Sequence, residues 1–203
     1  MTKLPPRFSE PIDMARPQGA RLLEAFSPKL GRRIRHFDRA AFEYWVVLEA
    51  DPSVEAFCER PVRFHAAQGE AVADFWVRSQ HHEAILLLGE HDQMTLPAQI
   101  AGVALQVVAE AEVAAARVWI LNWQRMLPVI VAARGSAVPG LSRAVLRFVT
   151  GPMPLSRIER EFAFGDPTPA RATVFELLRT GKLQAPSLRT EALSVLTLLE
   201  PMR

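Results

Sequence analysis

Asp74 lies midway along an alternating stretch, Glu70–Arg78, in phase with Val72, Trp76 and Arg78; Ala71, Ala73, Phe75 and Val77 fall on the other face. An isolated strand acid is ordinarily solvated. The apolar neighbours on its own face predict partial burial instead. Two other groups carry ligand chemistry. His81-His82-Glu83 and His91-Asp92 bracket the apolar run Ala84–Gly89, and two histidines with a carboxylate are zinc-ligand types. An extended strand would hold those two groups about 20–30 Å apart, so the reading taken is a polar hairpin loop ahead of a buried strand. Cys58 has no second cysteine and no evident histidine base, and it reads as a small buried apolar residue.

The basic residues are lopsided. Lys3, Lys29 and Lys182 are the lysines, and the other 21 of the 24 Lys+Arg are arginines. No lysine therefore stands between positions 29 and 182. Gly31-Arg32-Arg33-Ile34-Arg35-His36 is a basic cluster suited to phosphate, and a solvated loop would read the same way. In the C-terminal part, Arg143 and Arg147 share a helix face, and Arg171, Arg179 and Lys182 mark a later helix and the turn after it. Arg32, Arg33, Arg35, Arg171, Arg179 and Lys182 are the candidate DNA contacts. Trp119 and Trp123 flank Asn122 at helical spacing and suit a core or docking face.

A formal net charge of +2 in 203 residues does not by itself demand a nucleic-acid partner. The hydrophobic share of 49% is enough for a sizeable core. A single cysteine permits no internal disulfide and fits a reducing cytoplasm. The N-terminus has no apolar signal core. The longest apolar runs, Ala84–Gly89 and Leu127–Ala133, fall far short of the ~20 residues of a membrane span. A cytoplasmic protein with no membrane contact is expected.

These residues need elements to position them. Residues 1–30 read as a Pro/Arg-rich arm, with a short helix over Gly19–Phe26. Asp38 is placed to cap a helix running to Leu48, which Asp51-Pro52-Ser53 breaks. Val54–Cys58 reads as a short extended piece or turn, Pro61–Ala66 as a strand, Gln68-Gly69 as a hairpin turn, and Glu70–Arg78 and Ala84–Gly89 as strands. Gln99–Ala109 reads as a small-residue helix, Ala111–Ala116 starts another, and Asn122–Ala133 is a third, tolerating Pro128 with a kink. Gly135–Pro139 is the best linker. Beyond it, helices over Leu141–Thr150, Leu155–Phe162 and Thr168–Thr180 precede two short strands, Lys182–Gln184 and Ala192–Leu199. Three helices followed by a hairpin is the winged-helix pattern. The expected domains are an arm at 1–30, a mixed α/β domain at 31–134 and a winged-helix-like domain at 135–203.

Leu48-Glu49-Ala50-Asp51-Pro52-Ser53-Val54, then Arg60-Pro61 and a strand, then Ala73-Asp74-Phe75, then Asn122 in WILNWQRMLPVI, and the tail FGDPTPARATVFELLRTGKLQAP together resemble the TnsA endonuclease family. That family supplies the subunit that cuts the 5′ ends in heteromeric cut-and-paste transposases. The resemblance covers roughly residues 36–200. It implies a restriction-endonuclease-like mixed sheet flanked by helices, followed by the small winged-helix-like domain. Arg60 stands where the family usually has Gln.

Carboxylates in such a nuclease hold one or two magnesium ions, and a neighbouring lysine stabilises charge or positions the water. The resemblance requires a helix Glu in Ser-x-x-Glu, the Asp of Pro-Asp-Phe, and an acid-x-Lys on the next strand. Here Asp38-Arg39-Ala40-Ala41 replaces the first, so the Glu becomes Ala41. Asp74 keeps the second. Leu88-Gly89-Glu90 replaces the third, putting Leu for the acid and Glu for the lysine. Glu43 would point ~200° away from the needed helix position. The resemblance with these departures implies a catalytically degenerate subunit whose relict site is Asp74. It would bind no metal or cofactor, and its partners would be a transposase or the element's AAA+ regulator, with or without DNA. The alternative is an active, divergent DNA endonuclease with a magnesium site rebuilt from Asp74, Glu90 and Asp92, with Glu43 or Glu49 from the helix. A third reading is a DNA-binding regulator acting through the tail alone.

Overall fold

The computed structural model describes residues 5–66, 69–80, 82–91, 96–135, 138–163 and 165–202. The chain is mixed α/β and falls into two compact units, Met1–Leu48 with Ser53–Ala115, and Glu49–Pro52 with Ala116–Arg203. The division falls after Ala115, where the sequence reading expects a boundary at 134/135.

The first unit opens with an antiparallel hairpin of β1 (Leu23–Ser27) and β2 (Arg32–His36). The short helix expected over Gly19–Phe26 is therefore corrected to a strand, and residue 30 lies in a hairpin turn rather than at the end of an arm. Helix α1 (Arg39–Ala50) starts where expected: Oδ2 of Asp38 accepts the Ala41 N–H at 3.1 Å.

Strands β3 (Val54–Glu59), β6 (Phe75–Ser79) and β7 (His82–Leu88) follow as an antiparallel set, and β9 (Val103–Val108) joins β7 in parallel. With β8 (Gln99–Ile100) they form a five-stranded mixed sheet in the order β3-β6-β7-β9-β8. Strands β4 (Arg63–Ala66) and β5 (Gly69–Val72) make a separate hairpin. The single strand expected over Glu70–Arg78 is thus two, broken at Ala73-Asp74. One half pairs with β4, and the other enters the main sheet.

The helix expected over Gln99–Ala109 is also corrected. Val103, Val107 and Val108 are β-branched, and burial along β9 alternates roughly with period two. Ala101 and Gly102, both at positive φ (50° and 75°), make the two-residue turn between β8 and β9. Helix α2 (Glu110–Ala115) closes the unit.

Consecutive residues Phe75 and Trp76 are both fully buried, on opposite faces of the sheet. Phe75 meets Tyr44 of α1 and His36 of β2. Trp76 packs with Cys58, Phe64, Ala73, Ile85 and Leu87, and Phe8 stands edge-on to it at 5.9 Å. Covering both faces explains why β7 is an unbroken apolar run.

The second unit runs α3 (Arg117–Ala132), α4 (Leu141–Phe148), β10 (Met153–Pro154), α5 (Leu155–Phe162), α6 (Thr168–Arg179), β11 (Leu183–Gln184), a 3-10 turn at Pro186–Arg189, and β12 (Leu198–Pro201). Strand β12 lies between β10 and β11, antiparallel to both. The last strand therefore sits later than the expected Ala192–Leu199. Pro128 is inside α3, which continues past it. Gly181 is required where α6 ends: its φ is +65°, and an added Cβ would stand 2.8 Å from Pro52 Cβ.

Among the described residues no helix is long and apolar enough to cross a membrane.

Candidate functional site

Asp74 occupies the step between β5 and β6. Its backbone N–H donates to Leu86 O at 3.0 Å, and its carbonyl accepts Arg60 N–H at 2.8 Å. Its Oδ2 accepts the backbone N–H of Leu88 at 2.8 Å. The carboxyl is half-buried as expected. Burial pushes its pKa up to about 6, against the pull of the Leu88 N–H and of His91.

Leu88, Gly89 and Glu90 therefore begin beside Asp74. Leu88 brings an aliphatic side chain, and Glu90 is exposed. His91 is exposed, and its Nε2 lies 3.1 Å from Leu88 O. Ala41 is in the first turn of α1. Glu43 is engaged by Arg39 at 2.7 Å. Glu49 is fully buried, groups with the second unit and faces Arg179 at 3.4 Å. Of the carboxylates in the rebuilt magnesium set, Glu43 and Glu49 each pair with an arginine. Asp92 lies outside the described residues. Among the described residues no three His, Cys, Asp or Glu side chains group as metal ligands.

The described zinc-type residues have other partners. His82 is 3.1 Å from Gln106 Nε2, and Glu83 pairs with Arg7 at 3.4 Å. His81 lies outside the described residues. Cys58 is fully buried, and burial pushes its thiol up to about 12, so it is no nucleophile at neutral pH.

The candidate DNA contacts separate into two groups. Arg33 and Arg35 alternate with buried Ile34 and His36 on β2, so they point outward, with side-chain exposures of 79% and 65%. Arg32 grips Glu59, which is buried, through two bonds of 2.6 and 2.7 Å. Arg171 is bonded to Glu159, and Arg179 to Glu176 and Glu49. Lys182 is exposed. Thus Arg32, Arg171 and Arg179 each pair with a largely buried glutamate (Glu59, Glu159 and Glu49), whereas Arg33 and Arg35 share the more exposed Glu24 at 3.5 and 3.9 Å. The reason is local: Ala170, Ala172, Val174, Phe175, Leu177 and Leu178 bury α6 on most of its circumference.

Asn122 does structural work. Its Nδ2 donates to Leu188 O and Glu191 O, both at 2.8 Å, and its Oδ1 accepts Leu193 N–H at 2.7 Å. Trp119 and Trp123 meet edge to face at 5.5 Å, with the Arg189 guanidinium 4.8 Å from the Trp119 ring centroid. Trp123 is core.

Sequence reasoning passed over Arg60, whose N–H donates to Asp74 O and whose guanidinium donates to Arg35 O of β2. Its only signal was a departure from a family residue.

The chain matches no protein-family model, and no curated protein matches it.

Proposed function

We propose that the protein is a catalytically degenerate TnsA-like subunit that serves DNA transposition by binding a transposase, an AAA+ regulator and DNA. The observation that carries this reading is the Asp74–Leu88 contact. In such a nuclease the strand Asp and the acid of the following strand share a metal. Here those two positions adjoin, but the second supplies only a backbone N–H and an isobutyl group. The first turn of α1 supplies Ala41 where the third carboxylate would stand.

The order of elements supports the fold part of the reading. A helix, three antiparallel strands and a fourth strand parallel to the third are what a restriction-endonuclease-like core requires. Helix, strand, two helices and a two-stranded return, with the last strand central in the sheet, is the winged-helix order. The enclosure of α6 favours a protein partner for that domain over major-groove DNA. A cytoplasmic location follows from this role.

The test is incubation of the full chain with magnesium or manganese and supercoiled or transposon-end DNA, alone and with a heteromeric transposase and its AAA+ ATPase. The expected result is co-purification with one of those proteins and no nicking by this subunit. Nicking that disappears in Asp74→Ala overturns the degenerate reading. Binding to neither protein overturns the partner assignment.

A further inference from the structure

Arg60 holds a backbone conformation that its residue type rarely adopts. Its φ of 48° lies in the left-handed region, at a cost of about 1–2 kcal/mol for a residue with a Cβ. The surroundings enforce it. Its N–H donates to Asp74 O, its carbonyl accepts Ile12 N–H at 2.9 Å, and its guanidinium donates from Nε to Ile12 O at 3.2 Å and from Nη1 to Arg35 O at 2.7 Å. The guanidinium carbon stands 5.9 Å from the Phe37 ring centroid.

Both acceptors of this guanidinium are neutral carbonyls. Arg32 and Arg78, the neighbouring half-buried arginines of the unit, face Glu59 and Glu55. Arg60 is thus a fixed cation with no carboxylate at ion-pairing distance among the described residues. Its Nη2 edge has no protein partner there and is not sealed from solvent. Arg35, whose carbonyl this guanidinium holds, and Arg33 have exposed side chains on β2 two residues apart, about 6.6 Å along a strand. The two share one acid, Glu24, at 3.5 and 3.9 Å, so one carboxylate faces two arginines.

We propose that Arg60, Arg35 and Arg33 form a binding site for successive phosphates of a DNA backbone, with Arg60 as the fixed fork at its base. A planar guanidinium already immobilised by two carbonyls loses little entropy when it grips a phosphate, and the grip is charge-assisted. Ribbon arginines on one face then follow the strand without reading bases. The inference deepens the proposed function by assigning the DNA contact of the first unit, and it rests on that reading.

The experiment is fluorescence anisotropy of a labelled DNA duplex with the full chain, over a salt series, without metal or partner protein. Because nothing is cut and nothing else is bound, its failure is separate from failure of the nicking and co-purification assays. Binding with a negative log–log salt slope is expected. Arg60→Gln should weaken it about tenfold, and Arg33→Gln with Arg35→Gln should reduce the slope by about 2. The second variant alters only exposed side chains, so it stays informative if Arg60→Gln folds poorly. Arg63→Gln, an exposed arginine of β4, is the same-charge control and should bind like the parent. No binding by the parent, or equal losses in the Arg63 and Arg33/Arg35 variants, overturns the site. Equal occupancy by millimolar inorganic phosphate, with no preference for longer DNA, overturns its assignment to a DNA backbone.

Discussion

The Asp74 carboxylate accepts the backbone N–H of Leu88 at 2.8 Å, so a side chain carries the β6–β7 ladder one step past the last backbone pair, Phe75↔Leu86. The same geometry explains its ionisation. One N–H donor and a neighbouring His91 do not offset the loss of water, and the pKa rises to about 6.

Asp74→Asn is expected to stabilise the protein near pH 7. A carboxyl raised from 3.8 to about 6 binds its proton more readily folded than unfolded, so its contribution to stability falls as pH rises from about 4 to about 6. Asn keeps an oxygen for the Leu88 N–H without the charge. The gain should be on the order of 2 kcal/mol above pH 6 and vanish near pH 4. Urea midpoints of variant and parent over pH 4–8 check this, and a constant difference would contradict the assignment.

His36→Phe should show the opposite slope. His36 is buried, its Nε2 has no partner, and burial holds its pKa down at about 4. The unfolded chain takes the proton below about 6.5 while the folded chain does not, so stability is lost as pH falls from 6.5 towards 4. Removing the imidazole next to Phe42 and Phe75 removes that loss. The variant should gain on the parent progressively below pH 6.5, read in the same urea series. In the parent the two residues oppose each other between pH 4 and 6.

Asn122→Leu strands two carbonyls and one N–H of the segment 188–193. The expected cost is about 3 kcal/mol, from three lost bonds to a buried amide. Limited proteolysis should detect new cleavage between residues 186 and 197. A variant with unchanged melting and unchanged cleavage would show that the staple is dispensable.

Arg179→Met removes a guanidinium that is 11% exposed from beside a fully buried Glu49. The expected loss is about 3 kcal/mol, since removing one side of a buried ion pair is strongly destabilising. Adding Glu49→Gln should recover part of it, and thermal melts of the two variants give the comparison. DNA affinity should stay at the parent value, because this arginine serves the interior.

Much of the skeleton was legible in the sequence. Asp38 announced the start of α1, Asp51-Pro52 its end, Ala84–Gly89 the buried strand, and Thr168-Pro169 with Thr180-Gly181 the limits of α6, because caps, breakers and uniform apolar runs are local signals. Three segments were not legible. Gln99–Ala109 carries small residues that suit a helix, and pairing to β7 made it a strand. Gly19–Phe26 became a strand by pairing with β2. Glu70–Arg78 alternates without interruption, yet different partners claim its two halves.

The candidate site divides along the same line. The sequence by itself determined that Asp74 stands among apolar residues and that no lysine lies between positions 29 and 182. Only the tertiary structure decided that Asp74 reaches Leu88, that Arg32, Arg171 and Arg179 are spent on Glu59, Glu159, Glu176 and Glu49, and that Arg60 is left with carbonyls alone. Residue types are written in the chain, but the partner of a charge and the sign of φ at position 60 depend on segments distant in sequence meeting in space.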